Sequence, residues 1–189
     1  ATGLLVFQNE PDSIGFYYYD GSKWNWMAAI NGNADTLAWK RNGNSGTDTA
    51  VNFLGTTDNM PLRFKLNNQW AGQWDADNGN YFIGREAGKN SLGLPSGYGA
   101  NNIAIGDSSL FTNDSGYVYV AIGRQVLYSN TKGSDNIGMG RNALINNTTG
   151  YQNVAIGTYP LYYNTNGVSN IAIGRNALFF NTSGFSNIA

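Results

Sequence analysis

The 189-residue chain contains no histidine and no cysteine. The first absence removes Ser-His-Asp and Cys-His mechanisms and every imidazole general base. Together they exclude zinc sites built on imidazole or thiolate, and disulfides as well. Glutamate occurs only at Glu10 and Glu86, and the ten aspartates are scattered. No catalytic or cofactor-binding residue is assigned, and the chain reads as a non-enzyme. Charge is scarce too, at 12% of residues with a net −1. That leaves no electrostatic footprint for nucleic acid or a membrane surface. No run approaches the ~20 apolar residues of a membrane-spanning helix. What is abundant is asparagine (28 residues), glycine (25 residues) and aromatic residues (14% of the chain). This composition suits turn-dense β structure rather than disorder.

The second half is a tandem repeat. An apolar tetrad ending in glycine recurs as Ile103-Ala104-Ile105-Gly106, Val120-Ala121-Ile122-Gly123, Ile137-Gly138-Met139-Gly140, Val154-Ala155-Ile156-Gly157 and Ile171-Ala172-Ile173-Gly174. The anchor glycines 106, 123, 140, 157 and 174 are 17 residues apart. Leucine follows each by four positions (Leu110, Leu127, Leu144, Leu161, Leu178), asparagine by seven (Asn113, Asn130, Asn147, Asn164, Asn181), and a second glycine by ten (Gly116, Gly133, Gly150, Gly167, Gly184). A period in this range is the signature of a stacked repeat.

The parts of one repeat suggest its shape. The tetrad is too short for a helix and rich in β-branched residues, so it predicts a strand. The anchor glycine permits a corner at positive φ. Leucine and its apolar neighbour form a second edge, and polar runs such as Asn181-Thr182-Ser183-Gly184 supply turn-forming side chains. Strand, corner, edge and turn predict an all-β fold: a β-solenoid, a parallel β-roll of 17-residue coils. The small column Ala104, Ala121, Gly138, Ala155 and Ala172 is read as a candidate oligomer interface, where a second chain could approach closely. The alternative is a column that faces solvent.

The first half differs, since all five tryptophans precede residue 75. Residues 1–30 read as a small N-terminal β-hairpin module, with Leu4–Phe7, Ile14–Tyr19 and Lys23–Met27 as strands and Asp20-Gly21 as a turn. Residues 31–79 read as a β connector, with a short apolar stretch at Leu37–Trp39 between Asn-Gly loops and strand candidates at Val51–Gly55 and Leu62–Leu66. Residues 80–101 form an irregular capping coil, opening on the imperfect anchor Tyr81-Phe82-Ile83-Gly84. Residues 102–189 carry the repeats. The chain starts without methionine and stops in mid-repeat, so it reads as a piece of a longer protein.

The recurring Ser-Asn-Ile-Ala-Ile-Gly, as at Ser169 to Gly174, resembles the head repeats of trimeric autotransporter adhesins. The longer period with its Asn-Thr-Ser-Gly turn is similar to repeats in surface proteins of Bacteroidetes-type bacteria and in phage tail fibres. The match covers roughly residues 80 to 189. The resemblance implies left-handed winding, an intertwined homotrimer and an extracellular, cell-surface or particle-borne setting. It also implies adhesive contact with a surface glycan or protein receptor. Two further readings remain beside the surface fibre: a receptor-binding tail fibre, and a monomeric solenoid that binds glycan or ice.

Three smaller features complete the inventory. Asp75, Asp77 and Glu86 partly match a calcium loop, although the glycine is displaced and an Asn78-Gly79 turn explains the run. Arg124, Arg141 and Arg175 follow their anchor glycines and form an interrupted ladder, suited either to an anionic polymer or to a solvated edge. Tyr17, Tyr18, Tyr19, Trp24 and Trp26 offer a sugar platform or, alternatively, cross-strand packing.

Overall fold

The computed structural model describes residues 5–8, 15–27, 53–91 and 99–189. The chain divides into two compact units, Ala1–Gly55 and Thr56–Ala189. In the first, β1 (Leu5–Gln8), β2 (Gly15–Tyr19) and β3 (Trp24–Met27) form an antiparallel meander. The turn joining β2 to β3 is fixed by Asp20, whose Oδ1 accepts hydrogen bonds from the Ser22 and Lys23 amides at 2.8 and 2.9 Å. The apolar stretch Leu37–Trp39 and the side chains of Tyr17, Tyr18 and Trp26 lie outside the described residues.

The second unit is an all-β solenoid built on one eight-stranded sheet. Its strands are β4 (Leu62–Leu66), β5 (Gln69–Asp75), β6 (Asn80–Ile83), β7 (Ile103–Ile105), β8 (Val120–Ile122), β9 (Ile137–Arg141), β10 (Val154–Thr158) and β11 (Ile171–Ile173). They lie in the sheet in chain order. From β6 onward the pairing is parallel and exact to the repeat: Ala104, Ala121, Gly138, Ala155 and Ala172 are successive partners. β4, β5 and β6 pair antiparallel, so a hairpin caps the first coil within the same sheet. The boundary expected at residues 79–80 therefore falls at the β5–β6 turn, inside continuous pairing. Residues 53–55 form no strand.

The capping hairpin also satisfies the array chemically. In each coil, the amide of the leucine position donates to the preceding position's carbonyl one coil onward, as Leu127 does to Ala143 at 3.0 Å. The equivalent carbonyl in the first coil belongs to Ala87, which has no earlier coil to serve it. Trp70 of β5 fills this role: its Nε1 donates to the Ala87 oxygen at 2.9 Å. An end coil lacks a neighbour, and here an indole stands in for one.

Corners are made by residues in the left-handed region. Besides the anchor glycines, three non-glycine positions per coil have positive φ, including every leucine of the leucine column (49° to 53°). Each such position costs about 1 kcal/mol or more, and most for a β-branched residue. Val118 is the costliest member of its column, at φ 58° and exposed. Asn101, Asp135, Gln152, Ser169 and Ser186 occupy the same corner in the other coils. Val118→Asn should therefore stabilise the fold by about 1 kcal/mol, raising Tm by roughly 2–4 °C in a thermal melt.

Candidate functional site

Alternation within each strand sends its residues to opposite faces, and the structure decides which face is inside. Ala104, Ala121, Ala155 and Ala172 are fully buried within the coil, and Gly138 is buried with them. The expectation that this small column forms an oligomer interface is corrected: it lines the interior, where no second chain can reach it. The interior is too narrow for more. A Cβ on Gly138 would overlap Val126 Cγ1 across the coil. Val126 is the large member of a column otherwise occupied by Ser109, Ala143, Pro160 and Ala177. One wall has grown and the facing residue has shrunk. Gly138→Ala and Val126→Ala should each destabilise by about 1–3 kcal/mol. The double variant, which recreates the Ala155 and Ala143 combination, should recover most of that loss in a denaturation cycle.

The large residues of the tetrads consequently point outward, in two rows that cross all eight strands. Register places Leu62, Trp74, Tyr81, Ile103, Val120, Ile137, Val154 and Ile171 in one row. Phe64, Gly72, Ile83, Ile105, Ile122, Met139, Ile156 and Ile173 form the other. Phe64 lies edge-on to Trp74 at 5.0 Å between centroids. The side chains of both rows are apolar apart from the Tyr81 hydroxyl and the Trp74 indole N–H. Nine of these residues are 36–60% exposed. Seven inter-strand spacings make the stripe about 34 Å long.

The interior carries a second feature that the sequence reading assigned to turns. Asn113, Asn130, Asn147 and Asn164 are completely buried. Their amides form a ladder: Asn147 Nδ2 donates to Asn130 Oδ1, Asn164 to Asn147 and Asn181 to Asn164, each at 2.8 Å. A parallel ladder runs through Asn136, Asn153, Asn170 and Asn187, with amide-to-amide steps of 2.8–3.0 Å. Both ladders meet at the second glycine column. The Gly150 carbonyl accepts from Asn136 at 2.8 Å and Asn147 at 2.9 Å. Glycine is needed there for space: a Cβ on Gly167 would lie 2.7 Å from the Gly184 oxygen and 2.9 Å from Asn181 Nδ2.

Tyr119 occupies an asparagine slot of the second ladder. Its buried hydroxyl pairs with Asn130 Nδ2 at 2.5 Å, and burial pushes the phenol well above its ordinary pKa. Because the folded value is raised, its contribution is complete below about pH 10 and declines as pH rises further. Tyr119→Phe should flatten that alkaline loss in urea titrations at pH 8 to 11, while losing about 1 kcal/mol at pH 8 from the missing hydrogen bond.

The anchor glycines Gly106, Gly123, Gly140, Gly157 and Gly174 take φ between 119° and 133°. A Cβ on Gly157 would come within 2.6 Å of the Gly174 oxygen. The Asn78-Gly79 turn, preferred over calcium in the sequence, is what the structure shows. Asp75 spends Oδ1 and Oδ2 on the Asn78 amide (3.2 Å) and Nδ2 (3.0 Å), and Glu86 pairs with Lys89 at 3.0 Å. Among the described residues no three acidic side chains gather around a common point. The Asn-Gly turn uses the carboxylate instead. Arg85 grips Asp107 through Nε and Nη2 at 3.2 and 2.7 Å and holds its carboxyl below the usual carboxylate range. Being largely exposed, the pair contributes little to stability.

No family model, curated protein or solved structure matches the chain. Among the described residues, no helix is long and apolar enough to cross a membrane. The functional reading rests on the two outward rows.

Proposed function

We propose that the chain is a segment of a homotrimeric surface fibre, in which the outward apolar rows of three copies meet along a common axis. The rows carry this reading. Their exposed side chains present on the order of 800 Å² of apolar surface, one partner's share of a standard stable interface. A soluble monomer's largest patch is about 300–600 Å². The stripe is narrow and runs along the solenoid axis, so cyclic symmetry can close three copies around it and leave no open patch. The resemblance of the Ser-Asn-Ile-Ala-Ile-Gly repeats to adhesin heads favours three copies over two. In such a fibre the coils supply stiffness and reach, and the faces turned away from the axis repeat laterally for multivalent adhesion.

Light scattering on a size-exclusion column tests the assembly. Three copies give a mass about three times the 20.4 kDa of one chain. A single-chain mass at micromolar concentration would overturn the proposal.

A further inference from the structure

We infer that the corner edge of the solenoid, bearing Arg124, Arg141 and Arg175, is a binding track for an anionic polysaccharide lying along the coil axis. These residues occupy the position after the anchor glycine, as do Arg85, Asp107 and Thr158. Coil stacking therefore sets them in one column, with Arg141 and Thr158 direct strand partners. All three arginines are exposed. The ion pairs among the described residues are Arg85 with Asp107 and Lys89 with Glu86, so none of the three is held in one, although the Asp107 carboxylate also feels the charge of Arg124. Arg124 and Arg141 stand one coil apart, about 4.8 Å along the axis. Like charges at that spacing repel, and in a chain this poor in charge they are not needed for solubility. An anionic ligand removes the repulsion.

The chemistry beside the column suits a sugar polymer. Arg141 lies over the Tyr159 ring at 5.4 Å, which holds the guanidinium plane while its N–H edges remain free for a carboxylate or sulfate. Half-buried Gln125, held by Asn142 Nδ2 at 3.4 Å, adds an amide that can bond hydroxyl groups. At the hairpin end the column opens into a cleft of about 530 Å³ lined by Asn68, Gln69, Trp70, Arg85, Glu86 and Lys89. Its indole is fixed by the bond to Ala87 and can underlie a pyranose ring. An extended polysaccharide also advances by about one coil per sugar. A nucleic acid fits less well, since its bases need successive aromatic side chains to stack on, and among the described residues the ring against the column's arginines is that of Tyr159.

The inference does not depend on three copies; each chain carries its own track. The test is calorimetric titration with heparin, uncharged dextran and a single-stranded oligothymidine, at about 50 mM salt and above. Heparin should bind, and log affinity should fall with log salt with a slope of about −2 to −3, as three released counterions require. Arg124→Gln, Arg141→Gln and Arg175→Gln should each weaken heparin severalfold and together abolish binding, with unchanged melting curves. Thr158→Arg, which fills the gap in the column, should strengthen it. Lys132→Gln removes an exposed charge elsewhere and should have no effect. The inference is overturned if heparin does not bind, if dextran or the oligonucleotide binds as tightly, or if Lys132→Gln matches an arginine variant.

Discussion

Asn147→Leu should destabilise the solenoid by about 3–5 kcal/mol, the largest loss expected from any single buried substitution of similar size. Asn147 is completely buried, donates to Asn130 Oδ1 and the Gly150 carbonyl, and accepts from Asn164 Nδ2. Leucine removes all three bonds. It strands the Asn130 oxygen and leaves the Asn164 Nδ2 donor with only a 3.5 Å contact to the Gly167 oxygen. Each buried polar group deprived of its partner costs about 1–3 kcal/mol, and ladder members polarise one another. The urea midpoint should fall accordingly. Asn147→Asp gives a sharper version. An ionised carboxylate there would face the oxygens of Asn130 and Gly150, so the folded-state pKa must rise. Stability is then retained below about pH 3.9 and lost as pH rises through the folded value. A midpoint insensitive to both changes would mean that the ladder contributes nothing.

Met139→Asp should reduce the assembled mass to that of one chain while leaving the coils folded. Met139 lies mid-stripe, 38% exposed in the isolated chain, so a lone coil loses little beyond strand preference, less than about 1 kcal/mol. In the trimer three carboxylates would converge in an apolar axis without partners, costing several kcal/mol each. Ala155→Asp provides the contrast. Ala155 is fully buried within the coil, so the same charge there should unfold the array rather than dissociate it. Circular dichroism with scattering separates the outcomes. If Ala155→Asp dissociated folded chains and Met139→Asp did not, the two faces would be assigned the wrong way round.

Together these expectations describe a solenoid held in an unusual way. Its interior is half amide, with Leu110, Leu127, Leu144 and Leu161 beside two asparagine ladders. The bulk of the aliphatic side chains lies outside, on a surface that water would not leave bare. An apolar interior stacks coils without choosing their register. Amide ladders choose it, because each Nδ2 must find the Oδ1 one coil away. Tyr119 and the Val126 with Gly138 exchange are local departures: Tyr119 keeps a bond to Asn130, and the loss of a Cβ at Gly138 makes room for Val126.

The sequence by itself determined the period, the strands and the corners. Seventeen-residue recurrence of Gly106, Leu110 and Gly116 leaves no other reading than stacked coils, and Asp20-Gly21 marks its hairpin because turn chemistry is local. Only the tertiary structure decided which side of each strand is inside. Alternation of Ile103, Ala104 and Ile105 tells opposite faces apart but not their destinations. That choice depends on how near the opposite wall stands, and the wall is made by Val126 or Ala143, residues far along the chain. The Asn113 column was visible as a column but legible only as a turn, since an amide that caps a turn and one that bonds its copy a coil away have the same spelling, and the Asn136 column was not singled out at all. Trp70 was equally hidden: its partner, the Ala87 carbonyl, becomes an orphan only once the coils are stacked and one of them is first.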